Sequence, residues 1–485
     1  MSLGGTFGYL MWRGRGIAGW RPSGELVSRR SGPVMTKDAA LKWSETTASP
    51  SLVGAIAVVI GSCVLGLSGV MAVPLVAGAV YISIAASSFI ISRDILPALS
   101  LWLLVLIPVG YMDISRLLGR YFTPAVIVIA VWMIRVALAD RPLAKRVPAR
   151  GWLIIFPAAA LLFASTVLSD VDYDRSLGWL FVLAVCCVVP AILGQTSVDE
   201  VWPRIRKTFA GVGVFLGVVA AAEYLLQVNP WVGALRSAVS EQAFSFVRAK
   251  TSLGHPLITS TVACVALVVC VFSTGRGRQW KYMVGAAGAL VALALAVSRS
   301  GAIALTVATG LGLLAVVVRR TSFVQPGPRS WKSVLVPALC LAIVLSSPLL
   351  GERTHTSGAQ QSASYRFAVL DNSLRIIADH PFFGVGPGSS DAIYIERFGG
   401  GIESSVLQLL ISVGIPAFLL FVVGLGAVAG VAIKRSRLSI AAGLTAFFVA
   451  ISGFNAINSN PGLLALAAPL IFCAVQPVRE ADRPS

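Results

Sequence analysis

Apolar residues in this chain come in long blocks broken by short polar segments, and the blocks are the length that a helix needs to cross a bilayer, roughly 17 to 22 residues. They predict helices at 51–68, 71–92, 95–110, 123–139, 152–168, 177–193, 208–227, 256–273, 283–298, 302–318, 333–349, 405–429, 438–454 and 462–476. The run over 51–92 is too long for one helix at about 1.5 Å per residue, so it divides at Ser68–Gly69. The pattern is that of an all-α, polytopic membrane protein with about fourteen spans. Residues 51–476 form one transmembrane domain, 1–50 a basic tail and 477–485 a short C-terminal tail. A short surface helix is expected near Phe7–Trp20.

Two interruptions are long, 228–255 and 350–404, and long connections of this kind are usually functional. The second has its own periodicity. Phe367, Leu370, Leu374 and Ile377 make an apolar stripe at helical spacing, Asp379-His380-Pro381 ends it, and Gly384-Val385-Gly386-Pro387-Gly388 forms a tight turn. The stretch predicts an amphipathic helix on the membrane face followed by a glycine loop.

Composition fits the membrane class: 56% of the 485 residues are hydrophobic and 12% charged, with mean hydropathy +0.83. The net charge of +18 raises nucleic acid as a partner, but its distribution excludes that reading. With the N-terminus inside, 28 of the 39 Lys and Arg and 9 of the 21 acids fall on inner segments, which gives +19; the other 11 and 12 fall outside, which gives −1. Lys and Arg collect on the cytoplasmic side of membrane proteins, so the excess orients the chain, with both termini cytoplasmic and the long loops outside. The seven cysteines lie in apolar runs without CxxC spacing and read as core residues. Three histidines on separate segments make no metal site, and neither metal nor cofactor is expected.

Outer cations go against this charge rule and are therefore candidates for anion binding. Arg299 stands between two apolar helices with almost no loop, and Arg248 and Lys250 precede the 256–273 span. A guanidinium grips two phosphate oxygens at once. Arg366, after Tyr365, is a further candidate, while Arg375 has a structural partner in Asp371 four residues earlier. Glu403 directly precedes the 405–429 span, where a carboxylate either complements the helix dipole or serves as a general base. His380, before Pro381, is at a capping or packing position. Asp170, Asp172 and Asp174 read as a solvated turn.

The segment Ile377-Ala378-Asp379-His380-Pro381-Phe382-Phe383-Gly384-Val385-Gly386-Pro387-Gly388, preceded by Arg366, resembles a motif of the O-antigen ligase and Wzy-type polysaccharide polymerase superfamily. Glu403-Ser404, Leu407-Gln408-Leu409-Leu410 and Gly414-Ile415 resemble its next segment, Ser298-Arg299-Ser300-Gly301 its SR turn, and Arg248 with Gly254-His255-Pro256 an earlier one. The resemblance spans about 248–416 in the family's order. It implies a GT-C-like, metal-independent, inverting glycosyltransferase acting on polyprenyl-diphosphate-linked oligosaccharide at the outer face of the plasma membrane. Its other partners would be membrane lipids and proteins of envelope-polysaccharide assembly. It further implies that Arg248 and Arg299 bind the diphosphate, with Arg366, Tyr365, His255 and His380 as further substrate-binding candidates and Glu403 as base. The family's ligases carry His and Asn where this chain has Glu403 and Ser404, a difference that leans toward a polymerase. A ligase remains the alternative within this class, and a polysaccharide or lipid flippase the alternative outside it. A flippase is disfavoured by the scarcity of acids within the spans.

Overall fold

A computed structural model describes residues 74–107, 121–139, 159–167, 173–195, 197, 200–229, 248–273, 280–321, 332–346 and 357–477. All belong to the larger of two compact units, Ser49–Ser485. The expected tails, the Phe7–Trp20 helix, the 51–68 span, Asp170, Asp172 and most of the 228–255 loop lie outside the described residues.

The elements in order are α1 (Pro74–Ile90), α2 (Leu96–Leu106), α3 (Pro124–Ala139), α4 (159–167), α5 (Tyr173–Leu183, continued by Val189–Leu193), α6 (Trp202–Leu226), α7 (Pro256–Phe272), α8 (Trp280–Ala296), α9 (Arg299–Thr321), α10 (Lys332–Leu345), α11 (Ser357–Asp379), α12 (Ser390–Phe398), α13 (Ser405–Lys434), α14 (Leu438–Ser452) and α15 (Ala467–Val475). No strand occurs among the described residues. Apart from the first, every expected apolar block holds a helix, and α11 and α12 lie in the predicted 350–404 connection. Among the described residues, three helical stretches are long and apolar enough to cross a membrane: Arg175–Leu193, Trp202–Leu226 and Ser405–Lys434. Inside α5 the backbone widens to a π turn at Ala184–Val188. Pro190 just beyond lacks an N–H and crowds the carbonyl four residues back, and the wider turn accommodates it.

Helices α6 and α8 touch backbone to backbone. A Cβ added at Gly285 would meet the Cα of Ala210 at 2.6 Å, and one at Gly217 would meet the Cα of Gly288 at 2.5 Å. Small residues spaced three or four apart permit this close approach, the usual way helices associate in lipid. The pairing of 210 with 285 and 217 with 288 is parallel. The C-terminal ends of α6 and α8 therefore lie together, next to the start of α7, which antiparallels both. The core alongside is filled by Trp132, Trp179, Phe209, Phe447 and Phe472, all under 2% exposed.

Helix α13 is broken at Gly414 (φ 77°, ψ 172°), with Pro416 two residues on. Pro416 has no N–H for the carbonyl of Ser412, and the break directs the N–H of Ile415 to Pro381 O (2.9 Å) instead of Ile411 O. The glycine loop fills both vacancies: Val385 N donates to Ile411 O (2.9 Å) and Gly386 N to Ser412 O (3.0 Å). Gly384, Gly386 and Gly388 all have positive φ, so the tight turn expected from the sequence forms. Ser165 donates to Phe383 O (2.6 Å) and Ser176 to Pro387 O (2.8 Å), tying the loop to α4 and α5.

Helix α11 lies over this loop. Val369, Ser373, Ile376 and Ile377 are buried against Val385, Tyr394, Ile402 and Ile411. Of the apolar stripe read from the sequence, only Ile377 is in that core. Phe367, Leu370 and Leu374 are exposed, at 75%, 42% and 53%. The helix thus has two apolar lines, one packed on the protein and one facing outward.

Replacing Gly414 by Ala should lower the thermal midpoint of the detergent-solubilised protein by the equivalent of at least about 2 kcal/mol. Left-handed backbone costs an L-residue roughly 1–2 kcal/mol, and the new methyl would strike the carbonyl of Phe382. Gly424→Ala, in the same helix with open space around it, should leave the midpoint unchanged or raise it.

Candidate functional site

Two groups of polar side chains sit at the end of the bundle where α6 and α8 finish and α7, α9 and α13 begin. The first is built on the segment before α7. Ala249 N donates to Leu295 O (3.0 Å) and Arg248 Nε to Ala296 O (3.1 Å), which lays this segment along the last turn of α8. Arg248 is 5% exposed. Its charge complements the negative end of the α8 dipole, so it has a structural function as well as a place in the site.

Glu223, on the last turns of α6, is 3% exposed and accepts from Lys250 N (2.9 Å) and Thr251 N (2.7 Å). Thr251 has φ +52°, an unfavourable conformation for a branched residue. The Glu223 carboxylate, Asn229 Nδ2 on Thr251 O (3.0 Å) and the Thr251–Thr259 hydroxyl contact (3.0 Å) hold it there. His255 caps α7, its Nδ1 accepting from Leu257 N (3.2 Å). Burial, then the positive Arg248 and Lys250, lowers its pKa to about 4. His255 is therefore neutral at physiological pH, as the cap requires.

Arg299 is the first residue of α9, and Ser298 accepts from Gly301 N (3.3 Å) in that helix's first turn. The Nε of Arg299 is buried without a hydrogen-bond partner among the described residues. A cation with an open donor at the positive end of a 23-residue helix raises the local potential twice over.

The second group surrounds the turn before α13. The Tyr365 hydroxyl donates to Gly401 O (2.7 Å) and accepts from Gly401 N (3.0 Å). Burial pushes this phenol's pKa up, with the Gly401 bond opposing and Tyr394, Glu403 and Asp391 adding to the rise. Arg366 Nε lies 3.4 Å from Glu403 Oε2, and both side chains are nearly half exposed. Such a pair contributes at most about 1 kcal/mol to stability. Ser404 caps α13 by accepting from Leu407 N (3.5 Å). The expected Arg375–Asp371 pair forms at 2.8 Å, and Arg397 pairs with Asp379 at 2.6 Å.

The segment after α14 joins the groups. Gly453 lies so close to Ser300 that an added Cβ would meet that side chain at 2.6 Å. Phe454 O accepts from Ser405 N (3.0 Å) and Ser405 Oγ (2.7 Å). One residue past Arg299 and two past Glu403 are thus linked through two consecutive residues. Among the sequence candidates, Arg248, His255 and Arg299 form one wall and Tyr365, Arg366 and Glu403 the other. His380 is not brought to them: fourteen residues beyond Arg366, it lies roughly 21 Å further along the helix direction, where its carbonyl accepts from Gly384 N (3.2 Å). Sequence reasoning missed Glu223, Asp391 and Asn455, and read Gln408 only as part of a motif, with no role of its own. Only Glu223 left a local signal, as an acid within an apolar run.

Residues 284–422 match the family model described as O-antigen ligase. That segment is under a third of the chain, and the match supports the resemblance to the O-antigen ligase and Wzy-type polymerase superfamily, whose members are ligases and polymerases of glycosyltransferase type. The matched segment contains Arg299, Tyr365, Arg366, His380 and Glu403; Arg248 and His255 precede it. No curated protein matches the chain.

Acid should weaken the α7 cap. A depressed histidine pKa means that the folded state resists protonation. Its stabilising contribution is present above the unfolded value of about 6.5 and is lost as pH falls to about 4. The thermal midpoint should drop across that window, and His255→Asn, which keeps a capping oxygen without titrating, should flatten the drop in a melting series.

Proposed function

We propose that this protein polymerises or transfers polyprenyl-diphosphate-linked glycan at the outer leaflet of the plasma membrane. The observation that carries the reading is Arg299, whose buried Nε has no partner among the described residues, at the positive end of α9 and on the wall that also holds Arg248 and Lys250. An anionic diphosphate satisfies the open donor, the helix end and the local positive charge together. An apolar cleft of about 270 Å³ between α13 and α14, from Ser405 and Val406 to Gly426 and Ala429, starts beside the second wall and suits part of an isoprenoid chain.

In the reaction, the acceptor hydroxyl oxygen attacks the anomeric carbon as the bond from that carbon to the diphosphate oxygen breaks. The electron pair leaves with the polyprenyl diphosphate, and Arg299 and Arg248 neutralise it without a metal. Glu403 takes the hydroxyl proton, with Arg366 orienting the carboxylate. A single displacement inverts the anomeric centre. Fourteen spans with both termini cytoplasmic remain the proposed topology. It is supported by Arg204, Lys207, Lys281, Lys434 and Arg437, which cluster at the helix ends opposite the site, as the charge rule requires.

The polymerase reading rests on Glu403 and Ser404 standing where the family's ligases have His and Asn. The description of the matching family, O-antigen ligase, favours a second reading in which the same chemistry delivers the glycan to a different acceptor.

Purified protein in lipid nanodiscs, given a polyprenyl-diphosphate oligosaccharide and EDTA, should lengthen it, or transfer it to an added acceptor if the ligase reading holds. Arg299→Ala should lower kcat/KM on the order of 100- to 1,000-fold; wild-type rates in that variant would remove the diphosphate assignment. Glu403→Gln should lower kcat by on the order of 100-fold or more, and full turnover would exclude Glu403 as the base.

A further inference from the structure

Asp391, in the first turn of α12, receives donors from three directions. Gln408 Nε2 of α13 lies 3.0 Å from each carboxylate oxygen. Asn455 Nδ2, after α14, lies 2.9 Å from Oδ2, and Ile402 N, next to Glu403, lies 3.4 Å from Oδ1. Neighbouring bonds reinforce the convergence. Asn458 donates to Ser390 Oγ (2.7 Å), and Ser405 Oγ accepts from Ala456 N (2.9 Å) and Ile457 N (3.2 Å). Gln408 is fully buried and Asn458 6% exposed.

We infer that Asp391 is a positioning residue for Glu403. The turn that carries Glu403 contains Gly399, Gly400 and Gly401, and glycines leave a backbone free to wander unless something outside it fixes the path. Three side chains fix it: the Tyr365 hydroxyl on Gly401, the Asp391 carboxylate on Ile402 N, and Gln408 Nε2, itself held by Asp391, on Ile402 O (3.3 Å). Only a carboxylate offers acceptors on both atoms, and every group directed at Asp391 is a donor. An amide in its place would set an NH2 against that of Asn455. Gln408, the donor to both oxygens, is fully buried, and a donor left there without an acceptor is costly. Asp391 also ties α12 to the residues after α14, which contact Ser300. It thereby sets the Glu403 turn in register with the wall that holds Arg299. Its effect falls on turnover, because a shift of the base of about 1 Å costs on the order of 100-fold in rate, while the cationic wall that would bind the carrier stays intact.

The kinetic part of this inference rests on the glycosyl-transfer reading; the structural part does not, and two measurements separate them. In amide hydrogen exchange on the full chain in nanodiscs, Asp391→Asn should speed exchange of residues 401–404 at least about 10-fold and leave 258–270 in α7 unchanged. Unaltered exchange at 401–404 overturns the inference whatever the enzyme does. In the transfer assay, Asp391→Asn should lower kcat on the order of 10- to 100-fold with KM for the carrier-linked oligosaccharide within about twofold. Adding Asn455→Asp to Asp391→Asn transposes the acid and the amide across the same hydrogen bond, and should restore kcat to within about threefold. Unchanged kcat in the single variant, equal losses in kcat and affinity, or a double variant no better than the single would each overturn it. A wild-type protein without transfer activity would instead overturn the proposed function, and the exchange result would then decide the role of Asp391 alone.

Discussion

The break in α13 is the constraint on which the outer part of the structure depends. A helix in lipid must satisfy every backbone carbonyl within the protein, because hydrocarbon offers no donor. Gly414 and Pro416 leave Ile411 O and Ser412 O without their helical partners, and an unmet group of this kind costs several kcal/mol. The loop after α11 supplies the donors from Val385 and Gly386. The glycines on each side are there because no side chain fits: a Cβ on Gly384 would meet Ile411 O at 2.5 Å. This double hydrogen bond anchors the C-terminal end of α11, and the length of α11 then carries Tyr365 and Arg366 out to the turn that bears Glu403.

The other wall is fixed by a different interaction. Contact between the backbones of α6 and α8 brings Glu223 and Ala296 to the same end of the bundle. Glu223 Oε2 accepts from the N–H groups of both Lys250 and Thr251, and the carbonyl of Ala296 accepts from Arg248. The Glu223 carboxylate is held by the backbone it bends.

The helices were readable because a long apolar block in lipid has one solution, and the polar ends were less so. Helix α6 begins at Trp202 rather than 208 because Arg204, Arg206 and Lys207 are good helix formers that extend the helix beyond its apolar block. On α11 the sequence holds two apolar lines, and spacing alone could not say which one the protein covers. Tyr365, Arg366 and Glu403 were legible as a polar island with an adjoining glycine turn. Asp391 and Asn455 were not, since the bond between them joins residues 64 apart in the chain. Each has an unremarkable local setting. Arg248 was legible as a misplaced cation, but its second use, on the end of α8, depends on a contact that no local pattern encodes.

The close contact of α6 with α8 also limits where the protein can yield. With no side chain between Gly217 and Gly288, neither helix can slide without driving one backbone into the other. The cationic wall therefore behaves as an anvil. Helices α11 and α12 are held differently, hung on the bundle by hydrogen bonds and a small apolar core. Substitutions that enlarge a side chain should therefore be tolerated more readily on the exposed line of α11 than along the α6–α8 contact.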